Sequence, residues 1–311
     1  MKVERTALII GCGKMGCFYD SPESPEIESH AHALTKMGFQ LFFHDTDSEK
    51  STLAAKKWNG KAVSQLGTEK YDVVVVAAAA QAHYPILMRL PANCFQTLVI
   101  EKPFCESLAS ATEVLSRFSG RRVFVNYSRL YIPAYEQLHR RISQKEFGAC
   151  LRFAGTYSRG LRNNGSHMVS LLKYLLEFDT LDFKVQRKMI EPASGFINCD
   201  VSLQSGHGTS GSLIGFDGSN YAVWEISLYF EKALVKINNA GCEISIQPLS
   251  TKNQLLAGEI LKQEINYNDA LLGLYDRVQK DDSEFAQMTT ENALFTHRLI
   301  DAILEAHETN H

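Results

Sequence analysis

Thr6-Ala7-Leu8-Ile9-Ile10-Gly11-Cys12-Gly13-Lys14-Met15-Gly16 is the stretch on which the fold turns. Residues 6–10 form a short apolar run that stops at glycines, the mark of a strand buried on both faces of a parallel sheet. The glycines follow in the spacing G-x-G-x-x-G, which in this setting is a dinucleotide loop. Gly11 permits the tight turn, Gly13 lets backbone approach a pyrophosphate, and Gly16 allows close packing. Lys14 and Met15 begin a helical turn whose free amides offer an anion site. The competing reading is a structural glycine turn in some other α/β protein.

Beyond the loop, Pro22 and Pro25 forbid one unbroken helix. The pattern predicts a single helical turn, a loop over residues 21–26, and a helix capped by Ser24 with Pro25 at its first position, ending at Gly38. A second strand over 39–44 leads to Asp45, where a carboxylate can accept both ribose hydroxyls of NAD and repel a 2′-phosphate. The alternative role for Asp45 is a helix N-cap, for which Asp47 competes. NAD is therefore the expected cofactor, with NADP as the alternative.

The strongest strand spans 72–77. A helix near 83–90 precedes Leu98-Val99-Ile100, and there the chain reads Glu101-Lys102-Pro103. A lysine at the carboxyl end of a parallel strand faces the crevice where open α/β sheets bind ligands. The proline cannot continue the ladder, so the chain turns and fixes the lysine. Helix 107–118 and a strand at 122–126 complete an alternating β-α pattern, which implies a parallel sheet.

The pattern changes after residue 127. A helix near 134–145 ends at Gly148, a strand-like stretch covers 149–158, and 164–176 is helical. Strand-like runs over 210–216, 221–230, 233–238 and 242–247 read as an antiparallel meander with one covered face, carrying Ala222, Trp224, Ile226, Leu228 and Phe230. An amphipathic helix covers roughly 284–307. The expected division is a dinucleotide domain, residues 1–126, and a second domain, residues 127–311.

At 311 residues the chain can bury a sizeable core, and two domains are the better prior. A formal charge of −3 gives no basic footprint, which disfavours a nucleic-acid partner. No apolar run reaches the ~18 residues needed to span a bilayer, and the first residues do not form a secretory segment. Seven scattered cysteines without a Cys-x-x-Cys pair point to reduced thiols and a cytoplasmic location, and no metal site is expected.

The glycine loop, Glu101-Lys102-Pro103, Asn126-Tyr127-Ser128-Arg129 and Asn164-Gly165-Ser166-His167 occur in the order seen in the Gfo/Idh/MocA oxidoreductases, which the chain resembles over nearly its whole length. The resemblance implies a Rossmann doubly wound parallel sheet followed by a C-terminal α+β domain with a large open, mostly antiparallel sheet. That sheet often forms the subunit interface, so a homodimer or homotetramer is expected. It also implies hydride transfer between nicotinamide and a hydroxyl or keto carbon of a sugar or nucleotide-sugar. Lys102 would be the acid/base, and His167 would hold the substrate hydroxyl or relay the proton. A lysine's ordinary pKa is too high for a base at neutral pH; burial and a cationic nicotinamide would lower it. Glu101 and Pro103 would be positioning residues near the nicotinamide, with Ala78, Ala79 and His83 also at the cofactor.

Three positions depart from the family pattern. Asn163 stands where many members carry an aspartate, and it can orient a hydroxyl but not take a proton. Ser170 replaces a common helix aspartate, and residues 77–80 are all alanine where hydroxyls are frequent. These departures support an alternative, a catalytically silent dinucleotide-binding sensor; retention of Lys102 and His167 argues against it. Tyr127, Arg129, Tyr157 and Arg159 are candidates for the substrate side. Cys17-Phe18-Tyr19-Asp20 and Ser29-His30-Ala31-His32-Ala33 further resemble members linked to bacterial surface-polysaccharide synthesis. His30 and His32, two apart on a helix, point away from each other and read as polar groups at the cofactor mouth or as surface residues.

Overall fold

Five short apolar runs dictate the first sheet of the computed structural model, which describes residues 5–308 except 68, 207, 219–221, 251, 253 and 256–260. In chain order the elements are β1 (Thr6–Ile10), α1 (His30–Lys36), β2 (Gln40–His44), α2 (Ser48–Lys57), β3 (Lys61–Ala62), β4 (Tyr71–Val76), α3 (Ala80–Arg89), β5 (Phe95–Glu101), α4 (Leu108–Arg117) and β6 (Arg122–Asn126). The strands lie parallel in the order β3-β2-β1-β4-β5-β6. Strand order reverses at β1, which pairs with both β2 and β4, so the crevice beyond their carboxyl ends is the ligand position of a doubly wound sheet. Ile9, Val74, Val75, Val99 and Ile100 are fully buried, as strands covered on both faces must be.

The approach to α1 departs from expectation. A π-helical turn over Lys14–Phe18 is followed by loop as far as Ser29, and Ser29, not Ser24, is the N-cap, accepting from the His32 amide at 3.2 Å. Asp20 is the physical reason. Its carboxylate accepts from the Glu28 amide (2.6 Å), the Ser29 amide (3.1 Å) and the Ser29 hydroxyl, which holds this backbone out of a helix. Ser24 instead closes a local turn, accepting from the Ser21 amide at 2.9 Å.

The second half begins with α5 (Pro133–Ser143), β7 (Cys150–Ser158) and α6 (Ser166–Leu176). Strands β8 (Leu181–Ile190), β9 (Ile197–Ser205), β10 (Ser210–Phe216), β11 (Trp224–Phe230), β12 (Ala233–Asn238), β13 (Glu243–Pro248) and β14 (Leu261–Glu264) follow. The sheet order is β14-β13-β12-β11-β7-β10-β9-β8. It is mostly antiparallel, but β7 lies between β10 and β11 and pairs with β10 in parallel, so the simple meander is corrected. The covered face holds for Trp224, Ile226, Leu228 and Phe230, which are all buried, but not for Ala222, which precedes the start of β11 and is exposed. Residue 221, placed in this strand by its pattern, lies outside the described residues.

Two helices close the chain, α7 (Asn268–Gln279) and α8 (Ser283–Glu305). The contacts divide the protein into two compact units: Met1–Tyr131 with Tyr267–Leu294, and Ile132–Asn266 with Phe295–His311. A cut after Asn126 therefore omits a segment that belongs with the first sheet. α7 buries Ala270, Leu271, Leu274, Tyr275 and Val278 there, and a side chain on Gly273 would collide with the Tyr131 carbonyl. Gln279 donates to the Met37 carbonyl at 2.9 Å, and Asn268 accepts from the Ile27 amide at 2.8 Å. No helix among the described residues is long and apolar enough to cross a membrane.

Candidate active site

The carboxyl edge of the first sheet gathers the sequence candidates of that unit. Gly11 has φ +96°, a left-handed conformation, and a Cβ there would sit 2.5 Å from the Ala78 nitrogen. Only glycine fits both demands. The loops after β1 and β4 thus touch at the point where strand order reverses. A Cβ on Gly16 would strike the Gly11 carbonyl, whereas around Gly13 nothing lies within 4 Å. Gly13 and Lys14 are exposed and Met15 is half-buried. Two glycines are required by backbone contact, and the third borders open space that a pyrophosphate would fill. The residues present fit a dinucleotide.

Asp45 leads out of β2 and is tied to this loop. Its Oδ2 accepts from the Cys12 amide at 2.7 Å, and its Oδ1 accepts from the Asp47 amide at 2.9 Å. Asp47 takes the cap of α2, accepting from the Glu49 amide at 3.1 Å. Asp45 is therefore free of the capping role and stands beside the glycines, with lone pairs left for a ribose.

His83 is fully buried, and each of its nitrogens meets a carbonyl. Nδ1 lies 2.9 Å from Pro103 O and 3.3 Å from Phe104 O, while Nε2 lies 2.9 Å from Ala78 O. It braces the turn after β5 against the turn after β4. Ala78 is half-buried and Ala79 exposed. Pro103 follows a cis peptide bond from Lys102.

Glu101 is buried and accepts from His30 Nε2 at 2.9 Å, Asn126 Nδ2 at 2.6 Å and the Lys102 amide at 3.2 Å. Burial alone would push its carboxyl up. The His30 hydrogen bond and charge, the Asn126 bond and the neighbouring Lys102 charge outweigh that and hold it below the usual range. Lys102 is half-buried, and burial lowers its amine below the ordinary value, with Arg129 adding to this and Glu101 opposing it. The carboxylate acting on Lys102 is that of its own predecessor in the chain, Glu101. Arg129 is half-buried with its guanidinium 5.4 Å from the Tyr267 ring, and Tyr127 is buried.

His30 and His32 do point apart, but neither is a surface group. His30 is fully buried against Glu101, and His32, 1% exposed, donates from Nδ1 to Asp20 Oδ2 at 2.9 Å. Nothing local in the sequence marks either partner.

In the second unit, Asn163 and His167 lie one turn apart, in a π-helical turn over Gly160–Gly165 and at the start of α6. Both are half-buried, and Ser170 is buried. The Ser166 hydroxyl donates to the Asn163 carbonyl at 2.6 Å, and Trp224 Nε1 donates to the Asn164 carbonyl at 3.0 Å. The turn is launched by Arg159 at φ +64° and Gly160 at φ +83°. A carboxylate that the sequence did not single out holds this launch. Glu191 Oε1 accepts from the Arg159 amide (2.9 Å), Asn198 Nδ2 (2.8 Å) and the Gly218 amide (3.1 Å), and Oε2 from the Ser194 hydroxyl (2.7 Å). Asn198 in turn accepts from the Gly160 amide at 2.9 Å. Tyr157 is fully buried with its hydroxyl 3.0 Å from the Cys199 carbonyl, so it belongs to the support rather than the surface.

A glycine loop at the switch point, an aspartate at the end of β2 and a lysine of lowered pKa at the end of β5 thus share the carboxyl edge of a Rossmann sheet. Residues 5–127 match the model of the oxidoreductase family with an NAD-binding Rossmann fold, Gfo/Idh/MocA. Solved structures share the fold over both units. An NADPH-dependent oxidoreductase described from Desulfitobacterium hafniense superposes with TM-score 0.79 at 17% identity, covering 98% of this chain and 97% of that one. KijD10, a 3-ketoreductase from Actinomadura kijaniata solved with NADP, gives 0.74 at 14% identity, covering 97% of each chain. A myo-inositol dehydrogenase from Corynebacterium glutamicum gives 0.73 at 13%, covering 97% of this chain and 96% of that one. No curated protein matches in sequence.

Proposed function

We propose that the chain transfers a hydride between nicotinamide and a hydroxyl or keto carbon of a sugar or nucleotide-activated sugar, with Lys102 as the acid/base and His167 assisting. The observation that carries this reading is Lys102 itself: a half-buried amine of lowered pKa beside an ionised carboxylate, at the ligand edge of a dinucleotide fold. Nicotinamide, when bound, supplies the two-electron donor or acceptor. Gly11, Gly13, Lys14, Met15, Gly16, Ala78 and Ala79 would hold its dinucleotide, with Asp45 on the ribose favouring NAD.

Neutral Lys102 would take the proton from a substrate hydroxyl in oxidation, and its ammonium form would return one to the carbonyl oxygen in reduction. Asn163, an amide, would orient a hydroxyl, while His167 would hold the reacting oxygen or pass the proton on. Arg129 and Tyr127 would border the substrate. The names of two similar structures, a 3-ketoreductase and a myo-inositol dehydrogenase, support a polyol or sugar. Residues 17–20 and 29–33, in their resemblance to surface-polysaccharide members, support a nucleotide-sugar. Seven free thiols support a reducing, cytoplasmic setting. Ile214, Phe216 and Tyr229, exposed together on the outer face of the second sheet, support a homodimer or homotetramer through that face.

The test is nicotinamide oxidation or reduction with NAD and NADP against free and nucleotide-linked sugars. Turnover that falls about 10²–10⁴-fold in Lys102→Met, with cofactor binding kept, is the expected result. Cofactor binding with no turnover across such a panel in either direction overturns it. The match of residues 5–127 to an oxidoreductase family model disfavours the silent-sensor alternative.

A further inference from the structure

Behind Lys102 lies a buried chain of hydrogen bonds that the reaction just described does not use. Glu101 Oε1 meets His30 Nε2 at 2.9 Å, and His30 Nδ1 meets the Tyr275 hydroxyl at 2.6 Å. His30 and Tyr275 are fully buried, 245 residues apart in sequence, and meet edge to face with ring centroids 5.9 Å apart. An ionised carboxylate only accepts, so His30 Nε2 donates to Glu101, while Nδ1 pairs with the Tyr275 hydroxyl. Burial keeps the phenol protonated, well above its ordinary value.

A doubly wound sheet does not need this arrangement. Apolar side chains of similar volume would fill the same space without desolvating three polar groups. We propose that His30, held in place by Tyr275, is a positioning residue for Lys102: by donating to Glu101 it keeps that carboxylate charged and fixed beside the lysine. The proposal rests on Lys102 being the acid/base. Among the described residues of this unit, the charged and titratable groups facing Lys102 include Glu101 and Arg129; those facing Glu101 include His30, Lys102, Tyr131 and Tyr275. Loss of the His30 donor favours a neutral Glu101–Lys102 pair, so Lys102 gives up its proton at lower pH.

Trace labelling with acetic anhydride across a pH series, read on the Lys102 peptide by mass spectrometry, reports the midpoint of its deprotonation without substrate or turnover. His30→Leu is expected to lower that midpoint by about one pH unit. His30→Gln is expected to restore it, because a glutamine amide can donate to Glu101 and accept from Tyr275. A folded His30→Leu protein with the native midpoint overturns the proposal. Should that variant not fold, Tyr275→Phe decides, with a smaller downward shift expected and an unchanged midpoint overturning it. An inactive sugar panel would fail the catalytic reading and leave this measurement standing, so the two failures are distinguishable.

Discussion

The Cys12 amide donates to Asp45 Oδ2 at 2.7 Å, which makes the glycine loop and the end of β2 a single rigid element. The carboxylate therefore shapes the loop before any ribose meets it. Asp45→Ala removes that acceptor together with a negative charge. The expected outcome is a stability loss of about 1.5–3 kcal/mol, as for hydrogen bonds to charged groups. The ratio of NADP to NAD affinity should rise about tenfold, equivalent to ~1.4 kcal/mol. Denaturant melts and nicotinamide fluorescence titrations with both cofactors check the pair.

The three loop glycines should separate by experiment. Gly11→Ala forces a side chain into the Ala78 backbone at positive φ and is expected to destabilise by at least ~1–3 kcal/mol. Gly13→Ala meets nothing within 4 Å, so its melting temperature should stay near native while dinucleotide affinity falls. Equal thermal losses in both would contradict this assignment.

Glu191 holds the launch of the turn that carries Asn163. Glu191→Ala leaves the amides of Arg159 and Gly218 without their acceptor, a loss of about 1–3 kcal/mol for each buried group so exposed. Glu191→Gln keeps one oxygen for the three N–H donors and can donate its amide to Ser194. Thermal melts should rank native and Gln close together with Ala well below, and turnover should follow the same order.

Acid should expose three carboxylates at once. Asp20, Glu101 and Glu191 are each buried, which pushes their carboxyls up, but hydrogen bonds from Ser29 and Glu28, from His30 and Asn126, and from Asn198 and Ser194 leave all three below their ordinary values. The native chain then binds fewer acid-range protons than the unfolded one. This stabilisation is complete above about pH 5 and is lost as the pH falls through the folded-state values. Denaturant unfolding at stepped pH should show that acid limb, and Asp20→Asn should flatten it.

The first sheet was legible because its strands are continuous apolar runs and its loop needs glycine for local reasons. Strand ends and the Lys102 position follow from the same local pattern. What escaped was set by distant partners. The start of α1 depends on Asp20 reaching nine residues forward to Ser29, which suppresses the cap that Ser24 and Pro25 advertise. His30 reads as a polar group at the cofactor mouth or a surface residue because its partner, Tyr275, sits in a helix near the other end of the chain. β7 enters the middle of the second sheet through pairings with β10 and β11 that no periodicity encodes. Glu191 looks like any exposed acid, and only the positive-φ residues at 159 and 160 could have hinted that a buried acceptor was needed there. Asn163 and His167 were visible only through the family resemblance.

The return of Tyr267–Leu294 to the first unit bears on the order in which the protein is made. The ribosome delivers the cofactor loop and Lys102 early, yet the surface that α7 covers, and the phenol that His30 requires, emerge more than a hundred residues later. The nascent dinucleotide half must therefore wait, its apolar flank uncovered, until the second sheet has been synthesised. Synthesis begins with the cofactor half and finishes it among the last.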